Sequence, residues 1–170
     1  MIELATRRLT LRRFVPGDAN AMTNVLCDPE VMRFSIAGVR RPSDVPVWLR
    51  HRIDEAGVHP DLGIRAVVER PGGGVIGYAG LRMDPARCGA DVAELSYRLA
   101  QRCWGQGYAT EAAAAIVEHG LGALRLPRIV AVVDPTNAAS LRVVAKLQMA
   151  FERPIMLPSY SYPDHLYGIE

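Results

Sequence analysis

Cysteine is scarce in this chain of 170 residues: Cys27, Cys88 and Cys103 are the three, with no Cys-x-x-Cys pair and no Cys/His spacing that suits a metal. An odd, unpatterned set fits a reducing cytoplasm and excludes a structural zinc site. The four histidines, His51, His59, His119 and His165, are scattered. No apolar run is long enough to span a membrane, and the opening Met1-Ile-Glu-Leu-Ala-Thr-Arg-Arg8 carries no signal-peptide core. Arginine is frequent but spread along the chain, and a net charge of +2 without a basic cluster gives no footprint for nucleic acid. Repeats, low-complexity tracts and linkers are also missing. The expectation is one domain over residues 1–170 with one core.

The elements follow from periodicity and punctuation. Leu9-Thr-Leu11-Arg-Arg-Phe14 alternates as a half-buried strand. Pro16-Gly17-Asp18 turns, and Asp18 is placed to cap a helix over 19–26 with Ala19, Met22 and Leu26 on one stripe. Residues 30–60 are poorly patterned. Within them Ser43 or Asp44 can cap a helix carrying Trp48, Leu49, Ile53 and Ala56 and ending at Gly57. Ile64–Glu69 and Val75–Met83, joined by Arg70-Pro-Gly-Gly-Gly74, read as a hairpin. A polar loop, 84–90, leads to a strand over 91–99. A helix over 108–124 follows, then the buried strand Arg128–Val133, a turn at Asp134-Pro-Thr-Asn137, a helix over 138–148 and two closing strands. The order β-α-α-β-β-β-α-β-α-β-β predicts a mixed α/β fold. The fourth and fifth strands, 91–99 and 128–133, are joined by a βαβ crossover and should be parallel neighbours.

Between that fourth strand and the helix lies Arg102-Cys-Trp-Gly105-Gln-Gly107-Tyr-Ala-Thr110. Strand, glycine turn and helix start in that order make a cradle for phosphate. The glycines let backbone approach a ligand, and the first helical N–H groups have no partners in their own ladder. The turn by itself reads equally as a tight connection. No Gly-Lys-Ser/Thr follows the glycines, and position 110 is Thr where a dinucleotide fingerprint needs its third glycine, so neither nucleotide motif is present.

The pattern Arg102-x-x-Gly105-x-Gly107 resembles the acetyl-coenzyme A signature of the GNAT superfamily of N-acetyltransferases. Four segments extend the resemblance over essentially the whole chain: Thr6–Phe14, Ala93–Leu99, Trp104–Ala112 and Asn137–Val143. Together they are similar to the branch that includes ribosomal-protein alanine N-acetyltransferases. The resemblance implies a mixed, mostly antiparallel sheet whose parallel fourth and fifth strands splay apart, with flanking helices. It implies acetyl-coenzyme A as cosubstrate and no metal. Its pyrophosphate would lie on Arg102, Cys103, Trp104, Gly105, Gln106, Gly107, Tyr108, Ala109 and Thr110. The pantetheine arm would pair with the backbone of Leu95, Ser96, Tyr97 and Arg98 and be bonded by Asn137, with Arg142 and Lys146 near the 3′-phosphate. Near Lys146-Leu-Gln148 the family usually has glycine after Lys-Leu, and this chain departs from it.

Acetyl transfer to an amine needs a base, because a free primary amine is mostly protonated near neutral pH. Glu94, on the strand before the cradle, matches the family's glutamate; Glu69 and Glu111 are less well placed. The leaving thiolate needs a proton or a hydrogen bond, and Ser140 matches that position. Each residue also has a local reading. Glu94 can be half of an ion pair, Asn137 a helix cap, Ser140 a capping partner, Trp104 and Tyr108 core aromatics, and Cys103 an ordinary small residue. The implied acceptor is a protein N-terminus or a small-molecule amine, and the family-level expectation is a homodimer. The competing reading is a non-catalytic acyl-coenzyme A sensor or partner module.

Overall fold

The computed structural model describes residues 3–58, 61–83, 92–157 and 161–170. The expected 84–90 loop and Cys88 lie outside them. One eight-stranded sheet organises the rest: β1 (Leu4–Ala5), β2 (Leu9–Arg12), β3 (Gly63–Glu69), β4 (Val75–Met83), β5 (Val92–Leu99), β6 (Arg128–Val133), β7 (Ala150–Ile155) and β8 (Asp164–Ile169). Its order is β1-β2-β3-β4-β5-β6-β8-β7. Every pair is antiparallel except β5 and β6, the sequence-predicted fourth and fifth strands. The numbering moves by one because Leu4–Ala5, too short to show periodicity, pairs with β2.

The helices are α1 (Ala19–Leu26), α2 (Pro29–Met32), α3 (Val45–Val58), α4 (Tyr108–Leu121) and α5 (Ala138–Lys146). They cover both faces. Leu9, Leu11, Ala79, Leu95, Ile129 and Ala131 meet Ala113, Ile116 and Val144 of α4 and α5 in one core layer. On the other face Ile64, Ala66 and Tyr78 meet Met22, Val25 and Leu49 of α1 and α3. Leu9, Leu11, Met22 and Ile129 are fully buried. Each such side chain contributes about 1.5–3 kcal/mol of transfer free energy.

Two local expectations are corrected, at Asp18 and at the end of α4. Asp18 does not cap α1. Its carboxylate takes both Arg12 guanidinium nitrogens at 2.8 Å and the Val15 N–H at 2.9 Å, because a buried acid gains more from a bidentate arginine than from a helix end. Asp44 is held by Arg41 at 3.0 Å, at the end of a 3-10 turn that precedes α3. The helix after the glycine turn stops at Leu121 rather than Leu124, weakened by Gly120 and Gly122.

At the end of α5 the chain solves the missing glycine in an unexpected way. Gln148 itself enters the left-handed region, at φ +59°. The Gln148 N–H reaches the Ala145 carbonyl and the Met149 N–H the Val144 carbonyl, both at 3.1 Å. That is the six-to-one, five-to-two closure that glycine normally permits, with Met149 and Val144 buried beneath it.

Candidate active site

β5 and β6 pair only at Val92–Arg128, Ala93–Ile129 and Glu94–Val130. Beyond Glu94 the strands part, so the backbone of Leu95, Ser96, Tyr97 and Arg98 is unpaired on its β6 side while still bonded to β4 on the other. An opening between two parallel strands offers an amide-bearing chain a ladder to complete.

The glycine turn lies at the open end. A 3-10 turn, Gln101–Cys103, leads to Gly105 at φ +74° and Gly107 at φ +80°, where a side chain would be strained. No atom lies within 4 Å of where a Cβ on Gly105 would stand, so that side is open. The first turn of α4 closes with Glu111 N–H on the Gly107 carbonyl at 3.0 Å. The N–H groups of Tyr108, Ala109 and Thr110 therefore start the helix without carbonyl partners in the ladder, and the helix dipole adds partial positive charge. Unpaired N–H groups, glycines in the left-handed region and open space fit a pyrophosphate. Around them Trp104 is exposed and donates its indole N–H to the Leu99 carbonyl at 2.9 Å, and Gln106 donates to the Arg102 carbonyl at 2.9 Å. Cys103 is buried, and burial pushes its thiol up, which suits a packed residue rather than a nucleophile.

The rear of the cradle is pinned by residues that carry no local signal. Glu111 accepts from Thr6 Oγ1 at 2.5 Å, from the Arg8 N–H at 2.8 Å and from Arg8 Nε at 2.7 Å. Arg8 also donates to the Gln106 carbonyl at 3.0 Å and stacks over the Tyr108 ring at 4.4 Å. The Tyr108 hydroxyl bonds Glu69. Glu69 and Glu111 are thus structural partners of the cradle. Arg8 is about a hundred residues distant in sequence, in the bend that precedes β2.

Glu94 and Ser140 stand on opposite faces of the sheet. Glu94 is half-buried; Arg82 is directly opposite it on β4, and Ser96 and Arg98 share its face. Arg98 donates to the Tyr78 hydroxyl at 2.8 Å and to Ser35 Oγ at 3.2 Å, which ties α2's C-terminal side to the sheet. On the α4–α5 face, Asn137 caps α5 by accepting the Ser140 N–H at 3.1 Å. Tyr97, on β5, donates its hydroxyl to the Ser140 carbonyl at 3.5 Å, and burial holds that phenol above its usual range and hence protonated. Arg142 and Lys146 are exposed one turn apart on α5.

A polar cavity of about 340 Å³ lies between Arg33, Phe34, Ser35 and Ile36 on one side and Asp134, Thr136 and Tyr162 on the other. Asp134 is committed there. It accepts the Thr136 N–H at 2.7 Å, the Thr136 hydroxyl at 2.6 Å and the Tyr162 hydroxyl at 2.7 Å, and these bonds, with Arg33 nearby, outweigh burial and hold its carboxyl below the usual range. Among the described residues no cluster of three or more His, Cys, Asp or Glu side chains could hold a metal, and no helix is long and apolar enough to cross a membrane.

Comparison with known proteins gives a consistent result. The acetyltransferase (GNAT) domain family matches residues 8–150. The uncharacterized N-acetyltransferase YoaA of Bacillus subtilis is 31% identical over 166 residues, covering 95% of this chain and 89% of that protein. An acetyltransferase of the GNAT family from Bacillus anthracis superposes with a TM-score of 0.87 at 23% identity, over 99% of this chain and 98% of that one. RimL, a ribosomal alpha-N-protein acetyltransferase solved in complex with coenzyme A, superposes with a TM-score of 0.80 at 15% identity, over 99% and 97% of the two chains. With its parted parallel strands and glycine cradle, the chain belongs to the GNAT family of acetyl-coenzyme A-dependent N-acetyltransferases.

Proposed function

We propose that this enzyme, acting as one domain, moves an acetyl group from acetyl-coenzyme A directly to a primary amine held on the Glu94 face of the sheet. The observation that carries the reading is the parting of β5 from β6 immediately after Glu94. It opens a slot through the sheet with a carboxylate at its closed end and the glycine cradle at its open end.

Bound acetyl-coenzyme A supplies an activated acyl thioester. The chain's own residues do the rest. N–H groups from Arg102 to Thr110 bind the pyrophosphate, with the dipole of α4 behind them. Arg142 and Lys146 meet the 3′-phosphate. The backbone of Leu95, Ser96, Tyr97 and Arg98 holds the pantetheine arm, and Asn137 bonds it while capping α5. Glu94 accepts the amine proton at its carboxylate, directly or through one water. A backbone N–H near Leu95 donates to the acyl oxygen as negative charge develops there. Ser140, on the opposite face, donates a hydrogen bond to the sulfur as it leaves. Base and donor on opposite faces let the amine enter from one side while the thiolate departs on the other. The acceptor class is a protein N-terminus or a small-molecule amine. The structural likeness to RimL and the similarity of the Ala93–Leu99 and Asn137–Val143 segments to the ribosomal-protein branch favour an N-terminus.

Mass spectrometry of the protein mixed with acetyl-coenzyme A, with and without a primary-amine panel, tests direct transfer. Thiol release and acetylated amine should appear together, and only when amine is present. Acetyl stably attached to the chain before amine is added, on Cys103 for example, would overturn the direct route.

A further inference from the structure

Among the described residues, the sheet face that carries Glu94 gathers several arginines. Arg82 stands across the β4–β5 ladder from Glu94, and Arg98 shares the face. Arg98 donates to two neutral hydroxyls, those of Tyr78 and Ser35. Over this face lies α3. Its Trp48 packs on Tyr78 with ring centroids 5.7 Å apart, and the guanidinium of Arg52, one turn further along, sits 5.8 Å from the Trp48 ring. Arg52 has one carboxylate partner, Glu55 at 2.9 Å, and its buried Nε has no hydrogen-bond partner among the described residues. Burial lowers the proton affinity of Arg52; Glu55 opposes this, and Arg82 and Arg40 lie near enough to lower it further.

Among the described residues, four guanidiniums, Arg40, Arg52, Arg82 and Arg98, therefore share the region with the carboxylates of Glu55 and Glu94. Asp134, across the polar cavity from Arg33, is committed to Thr136 and Tyr162. A protein gains nothing in stability by gathering like charges around a half-desolvated arginine. A planar guanidinium is, however, well matched to a carboxylate or phosphate, which it can grip through two parallel N–H donors. Neighbouring arginines on the outside do not join the set: Arg41 is 83% exposed and engaged with Asp44.

We propose that Arg40, Arg52 and Arg82 form a subsite for a carboxylate carried by the acceptor, so that this enzyme selects amines with an acidic group close to the reacting nitrogen. The inference rests on the reading that the amine approaches on the Glu94 face. The acid would be held beside that residue by Arg82 and Arg52, which also screen it from the negative charge of Glu94. A peptide with acidic residues after its N-terminal amine and a small acidic amine present the same chemistry.

Calorimetric titration of the full chain, saturated with coenzyme A at low salt, tests the subsite without relying on turnover. The probes are the C-terminally amidated tetrapeptides Ala-Glu-Glu-Ala and Ala-Gln-Gln-Ala, and the α-amides of glutamic acid and glutamine. The acidic member of at least one pair should bind tenfold or more tightly than its neutral match, and the pair that shows it tells peptide from small molecule. Combining Arg40→Gln with Arg82→Gln should erase the preference and leave the neutral probe unchanged, whereas Arg41→Gln should leave both as in the wild type. Equal affinity within both pairs, no binding of any probe, or an equal loss in Arg41→Gln overturns the proposal. If Glu94→Gln retains full turnover, the base assignment fails, while the acid preference is still decided by calorimetry.

Discussion

Replacing Glu111 by alanine removes the anchor that ties the cradle helix to the first strands. The carboxylate receives three hydrogen bonds, from Thr6 Oγ1, Arg8 N and Arg8 Nε, and is 18% exposed, against 32% for Arg8. Bonds to a charged acceptor are worth about 1.5–3 kcal/mol each, but they act as a unit here and water reaches the freed Arg8. The expected loss is about 2–3 kcal/mol, and Tm should fall by roughly 5–10 °C in a chain of this length. The pH dependence has a defined sign. Burial pushes the Glu111 carboxyl up, but Thr6, the Arg8 N–H and the Arg8 guanidinium outweigh it and hold the carboxyl below its ordinary 4.5. Its contribution is complete above about pH 4.5 and is lost as pH falls through the lower folded value. The gap between wild type and Glu111→Ala in urea unfolding should accordingly be constant from pH 6 to 8 and narrow below pH 4.5. Because Arg8 also holds the Gln106 carbonyl, the affinity for acetyl-coenzyme A should weaken about fivefold, equivalent to ~1 kcal/mol. A stability loss under about 0.5 kcal/mol, or a gap that widens in acid, would refute this account of the anchor.

Gln148→Gly should stabilise the protein by about 0.5–1 kcal/mol. Relief of a left-handed side chain, worth about 1–2 kcal/mol, exceeds glycine's added freedom when unfolded, about 0.4–1 kcal/mol; a lower urea midpoint at unchanged slope would contradict it. His119 is buried on α4 with Nε2 unpartnered among the described residues, and burial, helped by Arg65 and opposed by Asp61, lowers its proton affinity below the ordinary 6.5. Its neutral form therefore supports stability fully above pH 6.5, and that support drains away as pH falls through the folded value. The variant His119→Leu should show a flatter stability profile between pH 7 and 5, measured by thermal unfolding across that range.

Much of the fold was legible because its strongest signals are local. The hairpin of Ile64–Glu69 with Val75–Met83, the strand–glycine–helix order around Gly105 and Gly107, and the apolar Arg128–Val133 strand each declare themselves within a short window. The cap of α5 by Asn137 was equally local and is present. What escaped the sequence depends on distant partners. Asp18 has the composition of a cap, but Arg12 outcompetes the helix for its oxygens. Glu111 and Glu69 read from sequence as less well placed bases, and their work behind the cradle needs Arg8 and Tyr108 to be placed first. The arginines are spread along the chain and form no cluster in sequence; the fold pairs Arg41 with Asp44 and brings Arg40, Arg52 and Arg82 together. Gln148 resists a rule of propensity because the helix closure around Val144 and Met149 overrides its preference.

The most direct test of the account is Glu94→Gln, which keeps the shape of the side chain and removes its capacity as a base. Turnover measured by thiol release with a primary-amine acceptor should fall about 10²- to 10⁴-fold, while the Kd for acetyl-coenzyme A stays at the wild-type value because the cradle is untouched. Full turnover in the variant, or an equal loss of acetyl-coenzyme A affinity, would contradict the placement of the reaction at the point where β5 and β6 part.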